Sequence, residues 1–246
     1  MNHLSQLIAA YLSYYLSICC LILIPIQGDC ASSSLRPGKY IYEGGYGELT
    51  IKRELNGKLT FSIGTIFRFM VFMPVCGLDG QLEGNKSIIT ISEEMEGIKD
   101  GLCIVNFSYT SDGINVDSSN CDYFCGTNGS FDGLYLKPAI GCKANEISRS
   151  RKKFKQLYDH KDFDKAYAVL SPVLKNCERV LAMEDAGWIR NDIAITEYQM
   201  GHYSDCIETL IPLVKEQEFL TESYEPIINA TRFNMGLCRE GDSHDE

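Results

Sequence analysis

The residues of this chain with most chemistry to offer are its eleven cysteines, and their spacing argues for cross-links. Cys19, Cys20 and Cys30 fall in or just after an apolar N-terminal run. The other eight are Cys76, Cys103, Cys121, Cys125, Cys142, Cys177, Cys206 and Cys238. An even number scattered through about 215 residues reads as disulfides formed in an oxidising compartment. Cys121 and Cys125 have three residues between them, where a redox-active pair has two, and no nearby basic group would lower a thiol pKa. No Cys-x-x-Cys pair exists, and His160 lies far from the cysteines in sequence. Neither a metal nor a cofactor is expected.

Pairing can be bounded. Cys76, Cys103, Cys121 and Cys125 belong to the first half of the chain, and Cys142, Cys177, Cys206 and Cys238 to the second. Pairing within halves reduces the 105 connectivities of eight cysteines to nine. In the second half the expected bridges join Cys177 to Cys206 or Cys238, with Cys142 taking the remaining one. A bridge of this kind contributes about 2–4 kcal/mol.

Other reactive groups do not assemble into a catalytic pattern, and no catalytic residue is expected. No Gly-x-Ser-x-Gly elbow occurs. His160 and His202 fall in predicted inter-helix turns, where they would be solvated. Glu93, Glu94 and Glu96 read as a charged hairpin tip and not as a carboxylate pair for glycosidic bonds. Gly44-Gly45-Tyr46-Gly47 lies between two strands with no helix following, so it is not a phosphate cradle.

The formal charge of −10 opposes nucleic-acid binding, which needs a basic face to release counterions. The one basic run, Arg149, Arg151, Lys152, Lys153 and Lys155, reads as a solvated first helical turn. Residues 7–26 carry no charge and give way to small polar residues, the shape of a secretory signal over residues 1–31. Cleavage is expected near Cys30 to Ser33. If the run is retained, its twenty residues suffice to anchor the chain in a membrane. Four Asn-x-Ser/Thr sequons, at Asn85, Asn106, Asn128 and Asn229, would accept glycans only in a eukaryotic secretory pathway.

Two domains must position these groups. Residues 38–142 are β-rich and punctuated by turns. Asn56-Gly57 between GELTIKREL and KLTFSIG marks a hairpin, with Leu49, Ile51 and Leu55 inward and a slip near Arg53 suggesting a bulge. Further strands are expected at 66–73, 78–82, 87–92, 102–109, 114–116 and 131–136, which makes an antiparallel barrel or sandwich. Within this half, IFRFMVFMPV is unusually apolar. It reads as core strand, or as a binding patch of Phe67, Phe69, Phe72 and Met73 if part-exposed.

From residue 146 to 240 the apolar period lengthens to nearly four. FDKAYAVLSPVLK at Phe163 and YSDCIETLIPLVK at Tyr203 match at a spacing of forty: ring with ring, Ala166 with Cys206, Leu170 with Leu210, Pro172 with Pro212. Self-similarity of this size marks hairpins that bury one another's apolar faces. An acidic tail, 241–246, is expected to be disordered. The second copy, with Ala194, Gly201, Tyr203 and Cys206, resembles the tetratricopeptide-repeat family; the first has Lys161 where that family has Gly, and the period is longer. That resemblance implies a protein-docking surface.

The passage CG-x-x-x-SF-x-G-x-Y, from Cys125 to Tyr135, followed by a helical tail, is similar to a group of exported bacterial proteins without assigned activity. It implies a periplasmic address. The expectation is an α+β protein of two domains, non-enzymatic, exported and protein-binding. In its specific form it is an inhibitor or immunity-type protein for a basic, cell-wall-degrading enzyme, drawn by opposite charge. The alternative is an envelope assembly adaptor that docks proteins on its helical repeat.

Overall fold

Among the described residues, alternation of period two builds eight antiparallel strands: β1 (Gly38–Tyr42), β2 (Gly47–Arg53), β3 (Leu59–Ile66), β4 (Val75–Leu82), β5 (Lys86–Ile91), β6 (Gly101–Tyr109), β7 (Gly113–Ser119) and β8 (Gly133–Leu136). The structure is a computed structural model and describes residues 35–66, 75–91, 101–126, 129–216 and 224–245. The expected signal segment lies outside these residues, as do Glu93, Glu94 and Glu96. Among the described residues no helix is long and apolar enough to cross a membrane.

Consecutive strands are neighbours, and β8 pairs with β1 as well as with β7. The meander therefore curls into a nearly closed, barrel-like sheet. Its seam lies between β4 and β5, which meet through a hairpin with a bridge at Glu83 and Lys86. Leu49, Ile51, Phe61, Ile63, Val105, Phe107 and Val116 point inward and are buried. Across the interior the rings of Phe61 and Phe107 stand edge to face, centroids 4.9 Å apart.

The β2–β3 hairpin turns at Asn56-Gly57 as expected, with two corrections. Pairing runs unbroken from Gly47 to Arg53, so no bulge sits at Arg53. The extra residue lies in the turn, where Gly57 takes φ +81° and Glu54 N–H donates to Lys58 O at 2.8 Å. Leu55 is consequently carried out to the loop tip and is fully exposed, where an inward position is expected.

A short helix, α1 (Asp122–Cys125), is tied to strands on both sides of the seam. Cys125 bonds Cys76 of β4, and Cys121 bonds Cys103 of β6. Both strand cysteines point inward and are buried. Behind α1, Phe131 is fully buried, and its carbonyl accepts from the Tyr135 hydroxyl at 2.9 Å. Thr65 Oγ1 donates to Ser130 O at 2.9 Å. Cys121 and Cys125 are thus cross-linked into the barrel interior, where Phe131 is buried.

The C-terminal half is helical: α2 (Ala144–Asp159), α3 (Phe163–Cys177), a 3-10 turn (Glu178–Val180), α4 (Met183–Gln199), α5 (Tyr203–Glu216) and α6 (Glu225–Asp245). The two copies of the repeat share their details. Ala166 and Cys206 are fully buried, as are Leu170 and Leu210. Tyr158 packs on Phe163 with centroids 5.3 Å apart, and Tyr198 on Tyr203 at 5.6 Å. Asp162 N–H donates to Leu157 O at 3.0 Å, and His202 N–H to Glu197 O at 2.9 Å. Pro172 and Pro212 both sit inside helices, in α3 and α5.

The helical disulfides correct the expected pairing. Cys142 bonds Cys177, and Cys206 bonds Cys238. An antiparallel hairpin returns the end of α3 to the start of α2, and α6 likewise passes the start of α5. Each bridge therefore closes neighbouring helices, and neither joins the first repeat to the second. The expected disordered tail is corrected too, because α6 continues to Asp245. Gly241 packs there so closely on Tyr203 that a Cβ would lie 2.4 Å from its ring.

Lys161 holds φ +60° where the second copy has Gly201 at φ +78°. A side chain in the left-handed region costs about 1 kcal/mol, so Gly at this helix end is favoured. Lys161→Gly is expected to raise stability by about 0.5–1 kcal/mol, and Gly201→Lys to lower it by a similar amount. Urea denaturation checks both.

Candidate functional site

The two halves meet where the β1–β2 turn reaches the 3-10 turn. Gly44 N–H donates to Arg179 O at 2.8 Å. The Arg179 guanidinium lies 2.9 Å from Glu43 on one side and 2.9 Å from Asp112 on the other. The hydrogen bond from Arg179, then that from Ser111, holds the Asp112 carboxyl below its ordinary pKa. All three side chains are about half exposed, so their Coulombic contribution is small and their value is in orientation. Gly45 makes the closest approach. Its φ is +81°, and a Cβ there would lie 2.2 Å from Ala182 N. Tyr46 and Tyr224 add a hydroxyl pair at 3.2 Å.

Beside this joint opens a cleft of about 760 Å³. One wall is the end of the β3–β4 ladder, where Ile66 and Val75 are paired in register. Ile66 is 46% exposed and Val75 66%. The other wall is α2 and the chain before α4, with Ile147 and Leu181 buried at its base. On that wall Arg151 and Asp185 pair with each other at 3.1 Å. The cleft is therefore an apolar slot whose charges are already matched, a geometry suited to taking up an apolar side chain or segment.

Sequence reasoning reached only part of this site. Phe67, Phe69, Phe72 and Met73 lie outside the described residues, while Ile66 and Val75, which flank them in the chain, form the exposed apolar lip. Of the basic run, Arg151 pairs with Asp185 and Lys155 with Asp159 at 3.1 Å. His160 caps α2 and His202 lies in the turn before α5. The contact of the Gly44-Gly45 turn with the segment at Arg179 has no local pattern, because it joins residues 134 positions apart.

Two carboxyls on α4 were missed as well. Burial pushes Asp192 up to about 6, against the opposing pull of Arg151 and Lys155. Burial also pushes Glu197 up to about 7, although a Thr209 hydrogen bond and His202 oppose it. Glu197 is 3% exposed, and among the described residues its Oε2 has no hydrogen-bond partner. It lines a second cavity of about 700 Å³ between α3, α4 and α5. Among the described residues no group of three or more His, Cys, Asp or Glu side chains could hold a metal.

The chain matches no protein-family profile, no curated protein and no solved structure. Its four disulfides place it in a non-cytosolic, oxidising location.

Gly45→Ala adds a methyl group against the Ala182 backbone in a strained conformation. It is expected to cost about 1–3 kcal/mol and to speed proteolysis between residues 137 and 143, as mass mapping of the fragments would show. The folded chain keeps the Glu197 proton up to about pH 7, while the unfolded chain releases it near 4.5. Between those values the folded state binds the extra proton, so stability falls as pH rises through the window. Asp192 adds to the fall in the lower part of the window. Denaturation between pH 4 and 8 should show this decline, and Glu197→Gln should flatten it by about 1–3 kcal/mol.

Proposed function

We propose that this chain is an exported, non-enzymatic binding protein of the periplasm or extracellular space, which neutralises a basic, wall-degrading enzyme. The observation that carries the reading is the apolar cleft at the joint, with its exposed lip of Ile66 and Val75. An apolar slot takes up a partner's protruding side chains and excludes water from them, and such anchors dominate binding energy. Bridges on both sides of the joint hold the walls in place, so little ordering is required on association. The net charge of −10 speeds encounter with a basic partner, and this attraction weakens with salt. The resemblance of Cys125 to Tyr135 to exported bacterial proteins gives the same address.

Ser148 is exposed on α2 and lines the cleft, so Ser148→Trp narrows it without disturbing the core. The test is inhibition of purified basic wall hydrolases, lysozyme among them, in a peptidoglycan-clearing assay. Inhibition by the wild type is expected, at least tenfold weaker for Ser148→Trp and weaker at high salt. No inhibition of any enzyme in the panel, or equal inhibition by the variant, would defeat the reading.

A further inference from the structure

The cavity between α3, α4 and α5 is separate from the cleft at the joint, and the repeat supplies an internal control for it. Forty residues before Glu197 stands Leu157, at the matching place in the first hairpin. Leu157 packs against its hydrophobic core there. The fold therefore accepts an apolar side chain at this position, and in the second hairpin it carries a carboxyl whose burial is unfavourable.

The surroundings of Glu197 restrict what could satisfy it. The Thr209 hydroxyl already hydrogen-bonds the carboxyl, and Oε2 is left without a partner. Arg190, which lines the same cavity, is engaged elsewhere: Nη1 donates to Thr209 O at 3.1 Å and Nη2 pairs with Glu178. The Tyr167 phenol is held above its ordinary pKa by burial and then by the charges of Glu197 and Asp205. Lys175 is exposed at the rim, and His202 and Asp205 act on Glu197 from the start of α5. Pro172, Leu174 and Ile193 give the cavity an apolar wall.

We propose that this cavity binds a primary alkylammonium group, the lysine side chain of a partner polypeptide, with Glu197 Oε2 as its buried acceptor. One free oxygen suits a compact ammonium better than a guanidinium, whose planar fork is matched by two. The apolar wall accommodates the four-carbon stem. Arg190 does not repel the cation, because Glu178 balances its charge. Binding favours the ionised carboxylate, so Glu197, held protonated to about pH 7 in the free chain, gives up its proton to solvent as the ammonium enters. The proposal does not rest on the cleft.

The test uses the whole oxidised chain with 13C-labelled glutamate, titrated with n-butylammonium at pH 6 and followed by NMR. The expected result is a saturable shift at the Glu197 carboxyl carbon and a midpoint for its titration lowered by about one pH unit or more. Glu197→Leu, which copies the first hairpin, and Glu197→Gln should each weaken n-butylammonium binding at least tenfold by calorimetry while remaining folded. n-Butanol, with the same stem and no charge, should leave the midpoint unchanged. An unchanged midpoint with n-butylammonium, or the same shift with n-butanol, overturns the proposal. A capped peptide with one lysine among glycines should bind as well as n-butylammonium; if only the free amine binds, the polypeptide partner is refuted.

Discussion

Two inward-pointing cysteines decide whether the first half of this molecule is a closed body. β4 and β5 are the ends of the sheet, and among the described residues they meet only through the bridge at Glu83 and Lys86. An open edge offers unpaired backbone groups to any passing strand. Here α1 is fastened to β4 through Cys76 and to β6 through Cys103, so one short segment is bonded on both sides of the seam. The loops these bonds close contain 49 and 18 residues of separation, which removes much freedom from the unfolded chain. The same covalent closure positions Phe131, Tyr135 and Thr65, and through Thr65 the end of β3 that forms the lip of the cleft.

Closure of the barrel has a consequence at the joint. The β1–β2 turn can serve as a docking point only if its strands hold it still, since Gly45 meets the Ala182 backbone with no room for a methyl group. Helical order is needed on the opposite side, and Cys142 to Cys177 provides it by clamping the start of α2 to the end of α3, immediately before Arg179. Covalent constraint in each half thus converges on one contact. The half-exposed ion pairs of Arg179 select its orientation, and close backbone packing supplies its specificity.

What could be read in advance follows from how local each signal is. Strand alternation, the Asn56-Gly57 turn and the forty-residue match are written in neighbouring residues, and the corresponding elements stand where they are expected, apart from the strand expected at 66–73, which lies almost wholly outside the described residues. The division of cysteines between halves followed from topology. Their pairing in the helical half did not, because it depends on which helix ends meet in an antiparallel hairpin. Leu55 misled because alternation was carried two residues past the last paired position, Arg53. The helical tail was missed because its polar composition hides a packing contact, Gly241 on Tyr203. Gly45 and Glu197 have no local signature at all, since each matters through what a distant segment places against it.

Comparison of the two hairpins also separates what the fold requires from what it merely tolerates. Where both copies carry the same kind of residue, as at Leu170 and Leu210, burial is complete and packing explains the choice. Where they differ, packing is insufficient. Lys161 against Gly201 is a difference at a helix end that the first copy absorbs at a small conformational cost. Leu157 against Glu197 is of another kind, because a buried carboxyl with an unpartnered oxygen is far costlier than an apolar side chain in the same place. Chains retain such groups where something outside the fold offsets the cost. Between two copies built on one plan, the position that departs from the plan at a thermodynamic loss is where a ligand's contribution is to be sought.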